Sequence, residues 1–306
     1  MLNDRIKIGF GFTLICLIWG STWLVIRIGL NSLTPIISVG IRFLLASLII
    51  LAVIKIKRIK LQTDSVSLKL YVFLGFFAFT IPYGLVYWAE QYIPSGLTSI
   101  LFAIMPFSII LFTHLLIKDN VITSNQIIGV IIGFFGVVII FSDNLKIEFS
   151  LYFLGMLAAL SSALIQAFVA VIIKKHGEHL HPLSMNFLPL LLGGVIMIPA
   201  GLIFENKSSW DFSLTAVGSI IYLALFGTVV TFTIYYWLIK KMNIVILSLN
   251  AFITPVVAVI LGWLILDEKL SLQVLMGSLL VFIGILFANL RQLLNYYESK
   301  KKNLYS

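Results

Sequence analysis

Charged residues are scarce in this chain: they make up 11% of its 306 residues, whereas hydrophobic residues make up 60%. Soluble globular domains carry about 25% charged residues. A chain with less than half that share cannot cover a water-soluble surface, so a soluble fold is excluded. Most of the chain is therefore expected to lie in a lipid bilayer.

Cysteine and nucleotide-binding motifs are equally sparse. The one cysteine, Cys16, excludes an internal disulfide framework. His176, His179 and His181 are close together, but without a cysteine they do not make a typical zinc motif. No P-loop for ATP phosphates occurs, and no buried nucleophile–base pair is suggested. The sequence therefore predicts no enzyme, no metal site and no cofactor, and it argues against ATP-driven transport.

Ten apolar segments are long enough to cross a bilayer as helices, since one span needs about 20 predominantly apolar residues. Their connections are short and leave no room for a soluble domain. Only the connection 55–69 and the C-terminal stretch 293–306 are expected to lie in water. The sequence thus predicts an all-α membrane protein with ten transmembrane helices, at 8–28, 36–54, 70–90, 96–117, 125–141, 152–173, 183–204, 216–239, 246–266 and 272–292.

Basic residues are distributed unequally between the two sides of these helices. If the N-terminus is cytoplasmic, 16 lysines and arginines lie in cytoplasmic loops and tails, against three on the opposite side. This positive-inside pattern predicts a multi-pass protein of a bacterial-type cytoplasmic (inner) membrane. Both termini, including the basic tail 293–306, are expected in the cytoplasm. The net charge of +9 is thereby explained as a topology signal, and no nucleic-acid partner is expected.

The chain contains two versions of one pattern. Tyr87-Trp88 is followed 149 residues later by Tyr236-Trp237, and other matches occur at offsets of 147 and 148. Such a series indicates a duplicated unit. We therefore divide the chain into a first half (1–148, helices 1–5) and a second half (149–292, helices 6–10). Because five helices per half is an odd number, the second half is expected to enter the membrane inverted.

Two prolines fall at matching positions near the middle of helices 4 and 9. Pro106 and Pro255 are also 149 residues apart. Proline removes a backbone hydrogen-bond donor, so both helices are expected to be interrupted there. Inverted repeats with interrupted helices are typical of secondary transporters, which bind their substrate near the midplane between the halves. The alternative is that membrane helices simply tolerate these prolines.

Several stretches are similar to one known family. The motifs IWGSTWLVIRIGL (18–30), GIRFLLAS (40–47), YWAEQYIPSGLTSIL (87–101) and LNAFITPVVAVILGWLILDEKLS (249–271) resemble the EamA branch of the drug/metabolite transporter superfamily. The resemblance implies a ten-helix secondary transporter, often an exporter of amino acids or other small metabolites, with both termini cytoplasmic. It says little about the substrate.

Three charged residues lie within the predicted helices, where a charge is costly and usually faces the bundle interior. Arg42 is about 9 Å deep in helix 2, at 1.5 Å per residue, and we predict that it faces a central cavity and engages Glu90 or an anionic group of the substrate. Arg27 and Glu90 are nearer the outer surface. They either reach towards the interface or act in a gate or in proton coupling.

A polar stripe follows one face of helix 3. Thr80, Tyr83, Tyr87 and Glu90 are spaced by three, four and three residues, which places them on the same side. Two tyrosines and a carboxylate on one face favour a cavity rather than lipid. An aromatic belt at the membrane interface is the competing interpretation.

Other polar and aromatic residues on the predicted helices are candidates for the cavity wall. Amides inside a membrane either bond between helices or line a site, and the pattern alone does not separate the two. The candidates are Trp19, Trp23, Gln166, Tyr236 and Asn250.

Taken together, the sequence predicts a secondary-active transporter that exports a small organic metabolite, amino acid-like or drug-like, by alternating access. Its expected partners are a small-molecule substrate and the lipid bilayer, with proton coupling as an option. The rival interpretation is an accessory or binding membrane protein without its own transport cycle, such as a lipid-carrier partner. Substrate identity, coupling ion and oligomeric state do not follow from the sequence.

Overall fold

A computed structural model describes residues 2–117, 123–142, 150–177, 179–239, 241, 247 and 250–302. Within these residues the secondary structure is helical, which confirms the predicted all-α class. The helices, in chain order, are α1 (Leu2–Gly29), α2 (Pro35–Ile56), α3 (Ser65–Ala89), α4 (Ser95–Leu116), α5 (Ser124–Ser142), α6 (Leu151–His176), α7 (Pro182–Phe204), α8 (Leu214–Ala224 continuing through Thr231–Ile239), α9 (Asn250–Leu266) and α10 (Leu272–Lys302).

Each of the ten predicted segments overlaps one of these helices. In the described part of the chain nine helices are long and apolar enough to span a membrane, and α9, with 17 residues, is a shorter apolar helix. α10 continues to Lys302, so much of the C-terminal stretch 293–306 is helical. The boundary expected between residues 148 and 149 falls outside the described residues.

Matching residues begin the matching helices of the two halves. Asp64 precedes α3 and accepts hydrogen bonds from two backbone N–H groups of its first turn, while Ser213 precedes α8 and accepts one. These N-caps satisfy donors that have no partner within the helix. They are 149 residues apart, the offset of the Tyr-Trp pairs. Pro35 and Pro182, 147 residues apart, begin α2 and α7 in the same way.

α3 and α8 each contain one π-helical turn, at Gly75–Thr80 and Leu225–Val230. In both, a threonine hydroxyl donates to the carbonyl five residues earlier, Thr80 at 2.8 Å and Thr228 at 3.0 Å. Wider turns of this kind are rare and are often found at functional sites. The sequence analysis did not predict them.

The two matching prolines behave differently. α4 is interrupted between its parts Ser95–Phe102 and Met105–Leu116, and Pro106 is the second residue of the second part. α9 instead continues as one helix through Pro255. The expected break at Pro255 is therefore wrong, since the neighbouring turns of α9 keep their helical bonds around the missing donor. The interruption common to both halves is the π-helical turn.

α5 and α10 cross closely at four glycines. A Cβ atom on Gly129 would lie 2.5 Å from the carbonyl oxygen of Gly284, and one on Gly136 would lie 2.6 Å from that of Gly277. The order of these contacts makes the two helices antiparallel. At the offset of 148 residues Gly129 matches Gly277 and Gly136 matches Gly284, so each contact is converted into the other. A two-fold axis between inverted halves produces this pattern.

The remaining packing between the halves is also reciprocal. α1 packs against α8 and α9, and α6 packs against α3 and α4. α2 packs along α7, where a Cβ atom on Gly194 would lie 2.8 Å from the backbone nitrogen of Leu44. Close helix packing at small residues is the usual way in which membrane helices associate. These contacts bring α2, α3 and α8 together around the candidate site.

Candidate functional site

Arg42 lies at the junction of the two halves. Its side chain is 2% exposed. Nη1 donates a hydrogen bond to the hydroxyl of Tyr87 at 3.2 Å, and Nη2 donates one to Oγ1 of Thr228 at 3.3 Å. Since Tyr87 belongs to the first half and Thr228 to the second, one guanidinium group contacts both.

Aromatic rings surround the same guanidinium. Its Cζ atom lies 5.1 Å from the ring centroid of Tyr83 and 5.9 Å from that of Phe43, both within the range of a cation–π contact. On the other side, a Cβ atom on Gly227 would lie 3.6 Å from Nη2 of Arg42. The π-helical turn of α8 therefore approaches the charge through a glycine. In this arrangement neutral hydroxyls and rings hold a buried cation.

Glu90, directly after α3, is 0% exposed, yet neither of its carboxylate oxygens has a hydrogen-bond partner among the described residues. The same holds for Nε of Arg42. The expected direct contact between Arg42 and Glu90 is therefore not formed in this structure, because the Nη atoms of Arg42 contact Tyr87 and Thr228 instead. Neither charged side chain reaches the interface.

Arg27 contacts Glu90 through the main chain: its Nη1 donates to the backbone carbonyl of Glu90 rather than to the carboxylate. Arg27 also lines a cavity of about 410 Å3 together with polar residues that include Asn31, Tyr92 and Glu268. We call this region the Arg27 end of the bundle; it comprises the connections after α1, α3, α7 and α9. The predicted gate residues thus lie beside a polar cavity.

Two further glutamates join the halves at the Arg27 end. Glu205, after α7, accepts three hydrogen bonds of 2.7–2.9 Å from the N-terminus of α2. Glu268, after α9, accepts three of 2.8–3.2 Å from the N-terminus of α4. A helix N-terminus carries partial positive charge and unpaired N–H groups, which suit a carboxylate. Sequence reasoning missed both residues, although each directly follows an apolar segment on the side poor in basic residues.

The other predicted cavity residues do not form one cluster. Trp23 and Tyr83 border the same hydrophobic core as Tyr87, whereas Trp19 borders a separate one. Thr228 is the site residue that sequence reasoning missed. The remaining placements are as follows: Trp19 packs on Phe232 and Tyr235, Trp23 packs on Phe102, Gln166 donates to the carbonyl of Ala78 at 2.8 Å, Asn250 begins α9, and the side chain of Tyr236 lies outside the described residues.

The model of the EamA-like transporter family matches the chain twice, at residues 7–142 and at residues 153–290. The chain belongs to this family. The two matches coincide with the two halves defined above, and the resemblance to the drug/metabolite transporter superfamily is confirmed. The protein is accordingly a multi-pass membrane protein of a transporter family, not of an enzyme family.

Individual relatives have similar names. The uncharacterized transporter YoaV of Bacillus subtilis is 28% identical over 281 residues, covering 92% of this chain and 96% of its own length. PagO of Salmonella typhimurium is 30% identical, covering 92% of each chain, and the uncharacterized inner membrane transporter YedA of Escherichia coli is 30% identical, covering 83% and 81%. One crystal structure superposes with a TM-score of 0.66 at 16% identity, over 94% of this chain and 98% of the other, and shows the fold alone.

Proposed function

We propose that this EamA-family protein is a secondary-active transporter that exports a small organic metabolite by alternating access. The observation that carries the proposal is the guanidinium of Arg42, which is buried where the halves meet and bonded to Tyr87 of one half and Thr228 of the other. In alternating access the two halves move against each other around a central site. A charge held by both halves is positioned to respond to that movement.

The surroundings of Arg42 favour a substrate with an anionic group. Its Nε–H has no partner among the described residues, and its two Nη atoms contact neutral hydroxyls. A carboxylate can accept from Nε and Nη together, in a bidentate contact about twice as strong as a neutral hydrogen bond. Tyr83 and Trp23 supply aromatic surface beside this group. An amino acid-like or drug-like anion fits that combination.

For the orientation we propose that both termini are cytoplasmic, supported by the 16-to-3 distribution of basic residues. The Arg27 end then faces outwards. Its contacts through Glu205 and Glu268 join the halves, so this conformation is closed on the outside. Asn31→Cys, at an exposed position of this end, should react with a membrane-impermeant maleimide added to intact cells.

The test is transport by purified protein in proteoliposomes, with a panel of radiolabelled amino acids and fluorescent organic anions. In the Arg42→Leu variant, transport should fall at least about tenfold, since the lost bonds to a charged group are worth about 1.5–3 kcal/mol each and 1.4 kcal/mol is a factor of ten. Arg42→Lys should not restore the full rate, because an ammonium is a point donor whereas the guanidinium is a planar fork.

The matched control is Arg58→Gln, which changes an exposed arginine in the connection after α2. It should transport at the wild-type rate. Normal transport by Arg42→Leu would remove Arg42 from the substrate path. If no compound on the panel crosses with wild-type protein, while the same compounds bind to it, the rival interpretation of an accessory membrane protein is favoured.

A further inference from the structure

Glu90 is a buried carboxyl group that the structure leaves without hydrogen bonds. It is 0% exposed, and neither Oε1 nor Oε2 has a partner among the described residues. An ionised carboxylate is expensive to bury unless it is paired and hydrogen-bonded; otherwise the group takes up a proton. Protonation removes the charge and leaves a smaller cost, that of an unpaired neutral acid.

The same molecule shows how it treats an ionised glutamate. Glu205 and Glu268, at the same end of the bundle, each accept three hydrogen bonds from a helix N-terminus. Both are also partly accessible to solvent. Glu90 receives neither hydrogen bonds nor water. The contrast between three acids within one region indicates that Glu90 is in a different protonation state.

The charged groups that face Glu90 do not reverse this conclusion. Arg27 on α1 and Arg42 on α2 are both within electrostatic range, but Arg27 donates to the backbone carbonyl of Glu90 and Arg42 to Tyr87 and Thr228. Glu268, after α9, brings a negative charge that opposes a second one. Tyr87, on the same helix as Glu90, donates no hydrogen bond to its carboxyl oxygens.

We propose that Glu90 is a proton-binding site of the transport cycle, a neutral carboxylic acid in this closed conformation that gives its proton to water when the Arg27 end opens. The inference rests on the proposed function, which supplies the opening movement. Opening must separate Glu268 from the N-terminus of α4 and admit water next to Glu90. Ionised Glu90 is then solvated, and Arg27 is free to pair with its carboxylate. No other group has to change its chemical state for this step.

A direct test is infrared spectroscopy of the purified protein in lipid nanodiscs. Near neutral pH, where exposed glutamates with a pKa of about 4.3 are ionised, the wild type should retain the C=O stretching band of a carboxylic acid. Glu90→Gln should lack that band, and Glu205→Gln should keep it. Gln has the shape of the neutral acid, so Glu90→Gln is expected to fold. A wild-type spectrum without the band, or a band that survives Glu90→Gln, would overturn the proposal.

The second test follows the opening itself. Spin labels at Asn31 and Lys269, exposed positions on the two halves at the Arg27 end, are attached in a Cys16→Ser background, and distances between them are measured against pH. Because one proton is linked to opening, the ratio of open to closed molecules should rise about tenfold per pH unit over the interval in which only the closed state holds the proton. In Glu90→Gln the ratio should be low and independent of pH. The same slope in both proteins would contradict the proposal.

The two tests separate this site from the proposed function. If the infrared band and the pH slope both depend on Glu90 but no compound is transported, the proton site stands and the transport proposal falls. If the wild type transports a compound and Glu90→Gln shows the same dependence of transport on the pH gradient, Glu90 is not the coupling site, and transport stands.

Discussion

α3 of the first half and α8 of the second begin behind matching caps, Asp64 and Ser213, and each contains a π-helical turn near its middle. Their ends differ. α3 is followed at once by the buried carboxyl of Glu90, whereas the matching residue of α8 is Ile239. Likewise, the partner of Arg42 at an offset of 147 residues is a proline. Among the described residues, both fully buried charged side chains belong to the first half.

The comparison separates two kinds of feature. Caps, π-helical turns and glycine crossings recur in both halves because they form the scaffold, and a scaffold with two-fold symmetry can open towards either side. Buried charges are costly in a membrane and recur only where they are used. The asymmetry of Arg42 and Glu90 therefore gives one end of a symmetric fold its own chemistry. The predictions below test each side of that distinction, beginning with the scaffold.

The largest effect is expected from the symmetric crossing of α5 and α10. Gly129→Val and Gly277→Val occupy matching positions, and in each a Cβ atom would lie 2.5–2.6 Å from a carbonyl oxygen of the other helix. Overpacking costs about 1–3 kcal/mol and sometimes more, and backbone atoms cannot move aside as a side chain can. Both variants should therefore lose about 3 kcal/mol or more of stability, seen as a large fall in melting temperature in detergent.

Gly218→Val is the control for this pair, since a Cβ atom on Gly218 has no neighbour within 4 Å. It should melt at or above the wild-type temperature. Equal losses in Gly129→Val and Gly277→Val would support the two-fold relation between the halves. A harmless substitution at one position and a severe one at the other would break it.

The scaffold could largely be predicted from the sequence. Bilayer thickness fixes the length of an apolar helix, so ten segments were recognisable from composition alone. The repeat offset also located features that depend on local sequence, such as the caps at Asp64 and Ser213. The depth of Arg42 followed from simple counting along α2, and the structure buries it.

The partners within the site could not be predicted in the same way. Thr228 is 186 residues from Arg42, and its contact depends on how α2 packs against α8. The π-helical turn at Gly75 depends on a similar approach, since a Cβ atom there would lie 2.5 Å from Leu192 of α7. Pro255 misled for a related reason: whether a helix breaks at proline depends on what surrounds it. Long-range packing, not local pattern, decides these features.

An intermediate effect is expected where the asymmetric charge meets both halves. Tyr87→Phe and Thr228→Val each remove one acceptor of Arg42. A hydrogen bond to a charged group is worth about 1.5 kcal/mol at the low end, and more when the group left behind is buried. Both variants should lower the melting temperature by similar amounts. In the Arg42→Leu background each substitution should have a much smaller effect, because the partner is gone.

Thr233→Val is the control for Thr228→Val. Thr233 is also in α8, but it is exposed and its hydroxyl donates only within its own helix, to the carbonyl of Val229 at 2.7 Å. Little change is expected. If Thr228→Val proved as mild as Thr233→Val while Tyr87→Phe was destabilising, Arg42 would be anchored to the first half alone and would not report the movement of the second.

The smallest effect concerns the caps, where the two halves match in position but not in charge. Asp64 is an exposed acid, and hydrogen bonds from the side chain and then the backbone N–H of Ser67 lower its pKa. Ser213 caps α8 without a titratable group. A pKa that is lower in the folded protein than in the unfolded chain adds stability above the unfolded value, and this stability is lost as the pH falls through the folded value.

Asp64→Ser should therefore retain a cap on α3 but remove its dependence on pH. The melting temperature of the wild type should fall more steeply than that of Asp64→Ser as the pH drops below about 4, the range in which an ordinary aspartate takes up its proton. Ser213→Ala should cost about 1 kcal/mol, the typical value of a serine N-cap, by the same amount at every pH. Parallel melting curves for the wild type and Asp64→Ser would mean that the charge of Asp64 contributes nothing, and that the two caps are equivalent in chemistry as well as in position.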